Sequence, residues 1–306
     1  MEECRNAYGK TLAKLALENE NIVVLDADLS KSTKTAEVQK VCPERHFNAG
    51  IAECNMVGMA AGLAASGKIV YASSFAIFLA GRAFEVIRNS VAYPNLNVKL
   101  CATHAGLSVG EDGASHQAVE DVAIMRAIPN MRVFVPADQY EAAAMTRYLA
   151  TFEGPAYMRM GRGKVEDVYT PDTEFDFTKI SVVKKGSKVL LVAMGMMVAE
   201  AIKAAEVLKE KGIEPTIVNA SVLKPFDSEG FVKIAKEHDL IVTMEEHSIY
   251  GGLYSTVAET LTRLAPKKVV PIAIMDTFGE SGKGAEVLAK YGMTCENVVK
   301  TVLENI

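Results

Sequence analysis

Short apolar runs alternate with helical patterns along the first half of the chain. The predicted strands are Ile22–Leu25, Lys68–Ser73, Val98–Ala102, Arg132–Val135 and Ala156–Arg159. The predicted helices are Asn6–Ala16, Ile51–Gly67, Ala118–Ala127 and Tyr140–Ala150. Each apolar run is short enough for a buried strand, and strands that alternate with helices are typical of a parallel sheet covered on both faces.

The same alternation returns in the second half, after a stretch of different composition. Residues 169–187 mix Pro, Asp, Thr and Lys, and we place a linker there. The strands predicted beyond it are Lys188–Met194, Pro215–Val218, Leu240–Met244 and Val269–Ile274. The helices predicted beyond it are Val198–Lys211, Glu229–Lys236, Leu253–Leu264, Ala285–Lys290 and Glu296–Leu303. The sequence therefore predicts an α/β protein with two doubly wound domains, residues 1–168 and 188–306.

One predicted helix, Ile51–Gly67, is small and apolar over several turns and shows no polar face. Such a helix is expected to be buried on all sides. Glu53 lies in its first turn, with no Lys or Arg at the spacing of a helical ion pair. The helix dipole favours a carboxylate at that position by about 0.3–1 kcal/mol. The alternative is an acid that burial keeps protonated, which is a group that catalytic sites use.

Composition and charge exclude several classes of function. The chain has 306 residues, which favours two domains, and its 49% hydrophobic content is typical of a packed soluble protein. With 33 Lys and Arg against 38 Asp and Glu, the net charge of -5 gives no reason to expect a nucleic-acid or anionic membrane partner. The longest apolar run, Val189–Ala199, is too short to span a bilayer, and the polar opening MEECRNAYGK is unlike a secretory signal.

The use of cysteine favours a reducing compartment. The five cysteines are Cys4, Cys42, Cys54, Cys101 and Cys295. Their number is odd, and none has the C-x-x-C spacing of a zinc or redox site. We therefore expect a cytoplasmic protein.

The densest group of polar residues follows the predicted strand Val98–Ala102. It contains His104, His116 and the acidic pair Glu111 and Asp112, and glycines between them allow tight turns. Loops at the carboxyl ends of strands bind ligands in open α/β sheets, so this loop is a candidate site. An ordinary surface loop with solvated charges is the alternative.

Two other strand ends carry candidate residues. Asp28 and Ser32 belong to a polar cluster that follows the first predicted strand. Phe75 and Phe78 follow the second. Aromatic side chains at such a place either fill the core or form the wall of a pocket for a flat ligand.

Two loops invite a phosphate-binding interpretation. Arg162 lies between two glycines, which suits either a phosphate or carboxylate site or a plain solvated side chain. Residues 279–284, GESGKG, lack the spacing and the following Ser or Thr of a phosphate loop. We give only the first of these loops a candidate role.

Taken in order, five segments of the first half resemble the second half of transketolase. They are CRNAYGKTLAKL (Cys4–Leu15), LDADLSKST (Leu25–Thr33), GIAECNM (Gly50–Met56), FAIFLAGRAFEVIR (Phe75–Arg88) and CATHAGLSVGEDGASHQ (Cys101–Gln117). The second half matches more loosely, through MEEHSIYGGL (Met244–Leu253) and FGESGKGAEVLAKYG (Phe278–Gly292). The resemblance implies a pyrimidine-binding domain followed by a transketolase C-terminal domain.

The resemblance also implies a cofactor and a reaction. Transketolases use thiamine diphosphate to transfer a two-carbon ketol unit from a ketose phosphate to an aldose phosphate, a reaction of the pentose phosphate pathway. By this resemblance, Glu53 hydrogen-bonds the aminopyrimidine and promotes its activation of the thiazolium carbon. Phe75 and Phe78 correspond to the aromatic pocket of the pyrimidine, and Asp28 to an acidic residue near the cofactor.

Substrate contacts follow from the same comparison. Positions that match contacts to the ketose hydroxyls are His104, Asp112 and His116. Positions that match contacts to the sugar phosphate are Arg5, Ser32 and Arg162. Cys54 departs from the family, which usually has His or Gln there, and we expect this change to be tolerated. The expected mechanism is covalent catalysis by the cofactor, with the histidines assisting proton movement.

One motif of thiamine enzymes does not occur in the chain. These enzymes bind the diphosphate through Mg²⁺ with a G-D-G segment and later Asn ligands, and the sequence has no G-D-G. The resemblance therefore implies an N-terminal partner subunit that holds the diphosphate and its Mg²⁺ or Ca²⁺, in an α2β2 assembly.

Two alternatives remain open at this stage. A related thiamine enzyme, such as 1-deoxyxylulose-5-phosphate synthase or the beta subunit of a 2-oxoacid dehydrogenase, would share Glu53 and the second domain. The GEDGASHQ segment with Arg5 and Arg162 favours sugar phosphates instead. The other alternative is a non-catalytic scaffold subunit, which would not need Glu53, His104 and His116.

Overall fold

The computed structural model describes residues 1–306 as an α/β protein with two large sheets. Its strands are β1 (Glu2–Glu3), β2 (Ile22–Asp26), β3 (His46–Asn48), β4 (Ile69–Phe75), β5 (Val98–Thr103), β6 (Arg132–Phe134), β7 (Ala156–Arg159), β8 (Lys164–Val165), β9 (Ser181–Lys184), β10 (Lys188–Ala193), β11 (Thr216–Asn219), β12 (Val222–Lys224), β13 (His238–Ser248) and β14 (Val269–Ile274). Its α-helices are α1 (Cys4–Glu18), α2 (Ser30–Thr33), α3 (Ala36–Val41), α4 (Glu53–Ala65), α5 (Phe84–Val86), α6 (Asp121–Ala127), α7 (Gln139–Leu149), α8 (Met197–Lys209), α9 (Ser228–Lys236), α10 (Leu253–Leu264), α11 (Gly284–Lys290) and α12 (Cys295–Asn305). Shorter 3₁₀ segments are Pro43–Arg45 and Leu107–Asp112, and π-helical segments are Ile77–Arg82 and Ile87–Ala92.

The first sheet has seven strands in the order β12-β6-β7-β5-β4-β2-β3. All neighbouring strands are parallel except β12, which pairs antiparallel with β6. The strands β2, β4 and β5 are adjacent, so their carboxyl ends meet at one edge of the sheet. The prediction of a parallel, doubly wound sheet is confirmed.

The second sheet has five strands in the order β14-β13-β10-β11-β9. Three of its four strand pairings are parallel, and the edge strand β9 pairs antiparallel with β11. β9 lies inside the stretch that we predicted as a linker, and β12 of the second half joins the first sheet. The two halves are therefore connected by strand pairing as well as by the chain.

The largest hydrophobic cluster also runs across both halves. It joins 42 buried residues, among them Val133 in the first sheet and Val218 and Phe231 in the second half. Burial of this shared apolar surface stabilises the two domains as one packed unit. No helix of the structure is both long enough and apolar enough to cross a bilayer.

The prediction that the helix around Glu53 is buried on all sides is wrong for this chain. α4 buries one face against the first sheet and leaves Cys54, Asn55 and Met59 exposed, and Ile51 before it is 79% exposed. Small apolar residues occur on both faces of α4, so its composition did not reveal which face would lie open. The open face is a surface without charged side chains.

Candidate functional site

The candidate site is built at the carboxyl ends of three adjacent strands. β4 ends at Phe75, β5 runs directly into His104, and β2 ends at Asp26. Because parallel strands place these ends side by side, residues distant in the sequence become neighbours. His104 adopts a φ of 58°, which turns the chain sharply as it leaves the sheet.

His104 is held on three sides by protein groups. Its ring stacks on Phe75 with 3.8 Å between the ring centroids and an angle of 26° between the planes. Nδ1 lies 2.9 Å from Thr103 Oγ1, and Nε2 lies 3.4 Å from Arg5 Nη1. An arginine can only donate, so Nε2 is the acceptor and Nδ1 carries the proton. Burial, followed by the charge of Arg5, lowers the pKa of His104 to about 3, so the ring is neutral at physiological pH.

His116 and Phe78 complete a group of four rings. The edge of His116 faces Phe78 at 5.2 Å, and the two phenyl rings are 6.0 Å apart. His116 Nδ1 lies 3.0 Å from Ser115 Oγ. We call Phe75, Phe78, His104 and His116 the ring cluster. It joins two of the predicted cofactor contacts to two of the predicted substrate contacts.

Glu53 is linked to the ring cluster through Arg82, a partner that the spacing of charged residues in the sequence did not indicate. Its side chain is almost fully buried, and Arg82 Nη1 donates to Glu53 Oε2 at 2.6 Å. Ser74 Oγ is 3.5 Å from the other carboxylate oxygen, and the Arg82 guanidinium also covers the Phe78 ring at 4.8 Å. The expectation of a lone desolvated acid is corrected by this ion pair. Arg82 is a site residue that sequence reasoning missed, because it lies 29 residues away on the π-helical segment.

The predicted phosphate contacts fall into two places. Arg5 Nη1 donates to the Ser32 carbonyl oxygen at 3.0 Å, and the same guanidinium pairs with Glu3. Arg5, Ser32 and His104 are therefore neighbours. Arg162 instead donates to the Val109 carbonyl oxygen and lies 3.1 Å from Glu111 Oε2, in the middle of residues 104–117, which follow β5 and are called the site loop.

The two predicted aspartates are less closely joined to the ring cluster. Asp28 is exposed and accepts a hydrogen bond from Asn48 Nδ2 at 3.0 Å. Asp112 is exposed at the end of the 3₁₀ segment Leu107–Asp112, and no side-chain hydrogen bond or ion pair of the structure involves it. The turn after β2 depends instead on Asp26, a buried carboxylate that accepts from Thr33 Oγ1 at 2.6 Å.

The second domain holds the site loop from the other side. The buried Gln117 side chain donates to the Leu107 carbonyl oxygen at 3.2 Å and to the Glu280 carbonyl oxygen at 3.0 Å. Glu246 at the end of β13 accepts a hydrogen bond from the Ser108 backbone nitrogen. The loop that carries the histidines is thus fixed between the two domains. The sequence signals for this contact were the matches of Met244–Leu253 and Phe278–Gly292 to the family, which did not say what these segments touch.

Replacing Gly113 with alanine should destabilise this contact. Gly113 has a φ of 75°, and an added Cβ would strike Ser281 Oγ of the second domain. We expect a loss of about 1–3 kcal/mol in the free energy of unfolding, measured by urea denaturation. Gly62→Ala is the matched control, because a Cβ there meets nothing within 4 Å. That helix position should gain about 1 kcal/mol, and equal effects of both changes would contradict the assignment.

Comparison with known proteins places both halves of the chain in one family. Residues 2–167 match the transketolase pyrimidine-binding domain, and residues 178–298 match the transketolase C-terminal domain. A protein of Methanocaldococcus jannaschii described as a transketolase C-terminal section is 51% identical over 99% of this chain and 96% of its own length. A 6-deoxy-6-sulfo-D-fructose transketolase subunit of a Clostridium species is 36% identical over 98% of this chain and 93% of its own length.

A solved structure agrees with these sequence matches. It is described as a split gene transketolase in an inactive beta4 tetramer, and it superposes with a TM-score of 0.90 at 50% sequence identity. The superposition covers 99% of this chain and 97% of that chain. Sequence and structure thus agree over the whole length, and the chain belongs to the transketolase family.

Proposed function

We propose that this chain is the C-terminal subunit of a thiamine-diphosphate-dependent transketolase. It would transfer a two-carbon ketol unit from a ketose phosphate to an aldose phosphate, together with a separate N-terminal subunit. The observation that carries the proposal is the link between Glu53, a buried carboxylate, and the ring cluster: Arg82 donates to Glu53 and also covers the Phe78 ring. We also propose that this reaction is part of the pentose phosphate pathway.

The residues of the site suit the pyrimidine half of thiamine diphosphate. Phe75 is buried and Phe78 is partly buried, and both can contact a flat aromatic ring. Glu53 provides a hydrogen-bonding carboxyl group at the protein end of that pocket. When bound, the cofactor supplies the covalent chemistry of ketol transfer, and the protein positions and polarises it. A bound pyrimidine would have to share the Glu53 carboxylate with Arg82.

The chain's own groups explain how a sugar phosphate would be oriented. The rings of His104 and His116 would offer the hydroxyls of a ketose both hydrogen-bond donors and hydrogen-bond acceptors, and each ring also has an apolar face. His104 is neutral, because burial and the charge of Arg5 hold its pKa low, so it would orient a ketose hydroxyl by hydrogen bonding, and Arg5 beside it would stabilise the negative charge that develops. Arg162 adds a second guanidinium at the loop entrance for the phosphate.

The partner subunit would supply what this chain's sequence lacks. Mg²⁺ takes oxygen ligands together with substrate phosphates, and thiamine enzymes use a G-D-G segment that is absent here. The open face of α4 offers a place for a partner, because it exposes Cys54, Asn55 and Met59 and no charged side chain. We propose an α2β2 assembly with the cofactor between unlike chains.

The acceptor and donor sugars are open to experiment, since a relative acts on a sulfonated fructose according to its name. The test is a coupled assay of this chain with an N-terminal subunit, thiamine diphosphate and Mg²⁺. We expect ketol transfer from xylulose 5-phosphate to ribose 5-phosphate and no pyruvate-dependent condensation. Condensation of pyruvate without ketol transfer would favour a 1-deoxyxylulose-5-phosphate synthase type of activity and contradict the proposal.

A further inference from the structure

A cavity of about 340 Å³ lies where the two domains meet, outside the ring cluster. The first domain lines it with Ser108, Arg159 and Gly161, and the second domain with Gly195 and Glu246. Gly195 belongs to the turn after β10, and Glu246 lies near the end of β13. The cavity therefore occupies the carboxyl-end crevice of the second sheet, which is where open α/β sheets bind ligands.

Arg159 brings a buried positive charge to the cavity wall. Its side chain is 4% exposed, and its Nε lies 3.0 and 3.1 Å from the two oxygens of Asp121. Nη2 donates to the Glu246 carbonyl oxygen at 2.8 Å, whereas Nη1 has no protein partner. The nitrogen is not fully enclosed by protein atoms, so it keeps some access to open space. A guanidinium nitrogen with free donor capacity thus faces a site that can hold an acceptor.

Glu246 brings a buried acceptor to the same wall. It is 3% exposed, and one carboxylate oxygen, Oε1, accepts from the Ser108 backbone nitrogen. No protein group donates to Oε2, and this oxygen also keeps some access to open space. The Ser108 hydroxyl is enclosed beside the same carboxylate and helps to lower the pKa of Glu246 against the larger effect of burial, which raises it. Buried polar groups normally have hydrogen-bond partners. Arg159 Nη1 and Glu246 Oε2 are therefore unusual, because neither has a partner in the protein.

The mouth of the cavity adds a free cation. Lys164 and Ala285 line it and are both exposed. The Lys164 ammonium forms no ion pair in the structure, whereas the nearby Glu200 is engaged by Lys203 at 2.8 Å and by the Cys295 backbone nitrogen. An anionic group entering here would therefore meet an unpaired cation at Lys164, whereas the charge of Arg159 is balanced by Asp121 and the wall also carries the Glu246 carboxylate.

We propose that this interdomain cavity binds a small organic anion with vicinal hydroxyl groups, such as a sugar acid or a polyol phosphate. A hydroxyl both donates and accepts, so one hydroxyl can donate to Glu246 Oε2 while its neighbour accepts from Arg159 Nη1. The anionic group would lie toward Lys164. The volume is at the lower end of the range for small-molecule sites. This inference does not depend on the proposed activity.

The test is isothermal titration calorimetry of the full chain with 6-phosphogluconate as the probe, and with sorbitol and inorganic phosphate as partial probes. We expect binding of the intact probe with a Kd of about 1 mM or lower, and weaker binding of either partial probe. Because the ligand would contact both domains and bind only the folded state, the melting temperature should rise with probe concentration.

Three variants locate the binding site. Ala285→Trp plugs the exposed mouth, and Glu246→Gln keeps one acceptor for Ser108 but replaces the free one by a donor. Each is expected to weaken binding by about tenfold or more. His104→Asn, in the ring cluster and not in the cavity lining, should leave binding unchanged.

Two results would overturn the proposal. One is binding that Ala285→Trp leaves intact and His104→Asn removes, which would place the probe in the candidate site. The other is the absence of any heat or melting shift up to about 10 mM probe, well above the expected Kd. Glu246→Gln with unaltered melting temperature and unaltered binding would equally exclude the assigned acceptor.

Discussion

Replacing Glu53 with alanine is expected to abolish ketol transfer by the complex of this chain with its partner. Glu53 is almost fully buried, and Arg82, which also covers the Phe78 ring, donates to it at 2.6 Å. Removing a group that both positions and polarises a cofactor should lower kcat by at least about 10³-fold. Binding of thiamine diphosphate, measured by calorimetry on the complex, should weaken in parallel.

Two matched variants separate this role from a structural one. Cys54→Ala changes the exposed neighbour of Glu53 and should retain nearly full activity, because Cys54 is neither an acid nor a base in the site. Glu53→Gln preserves the volume and one acceptor, so it should fold as the wild type does while remaining inactive. Full turnover by either Glu53 variant would remove the assignment.

Replacing His104 with asparagine should lower kcat/KM for the ketose phosphate by about 10²–10³-fold. The neutral ring accepts through Nε2 next to Arg5, and the shorter asparagine side chain cannot place its acceptor at the same point. Binding of thiamine diphosphate should change little, since His104 is proposed to contact the substrate. Unchanged kinetics with both substrates, or a selective loss of cofactor binding, would contradict this role.

The pKa of His104 also determines how activity and stability respond to pH. Its pKa is lowered from 6.5 to about 3, chiefly by burial, so the ratio of wild-type to variant activity should be constant between pH 6 and pH 9. The unfolded chain binds a proton at this residue below about pH 6.5 and the folded chain does not. Stability should therefore fall as the pH is lowered from 6.5 toward 3, and His104→Asn should reduce that fall in urea titrations.

Local patterns were sufficient for most of the strands and helices. β14 and α10 begin and end at the residues that the apolar runs indicated, Val269–Ile274 and Leu253–Leu264. These elements are long or strongly periodic, so a short window of sequence contains enough information. The short strands β3 and β12 were missed, because three residues have no detectable period and their pairing is decided by the tertiary structure.

The site was predictable as a set of strand ends but not as a set of contacts. The residues of the ring cluster could be named because they follow apolar runs and match a family pattern. Their mutual geometry could not, and neither could the partner of Glu53, because Arg82 reaches it across the fold. The open face of α4 was hidden for a similar reason: whether an apolar face is covered depends on which neighbours the fold provides.

Calorimetric titration of thiamine diphosphate with Mg²⁺ into this chain, alone and mixed with an N-terminal subunit that contains G-D-G, tests the half-site assignment most directly. The account predicts no tight binding by the isolated chain, and both tight binding and ketol transfer by the mixture. Tight binding of the cofactor and sugar rearrangement by the isolated chain would contradict it.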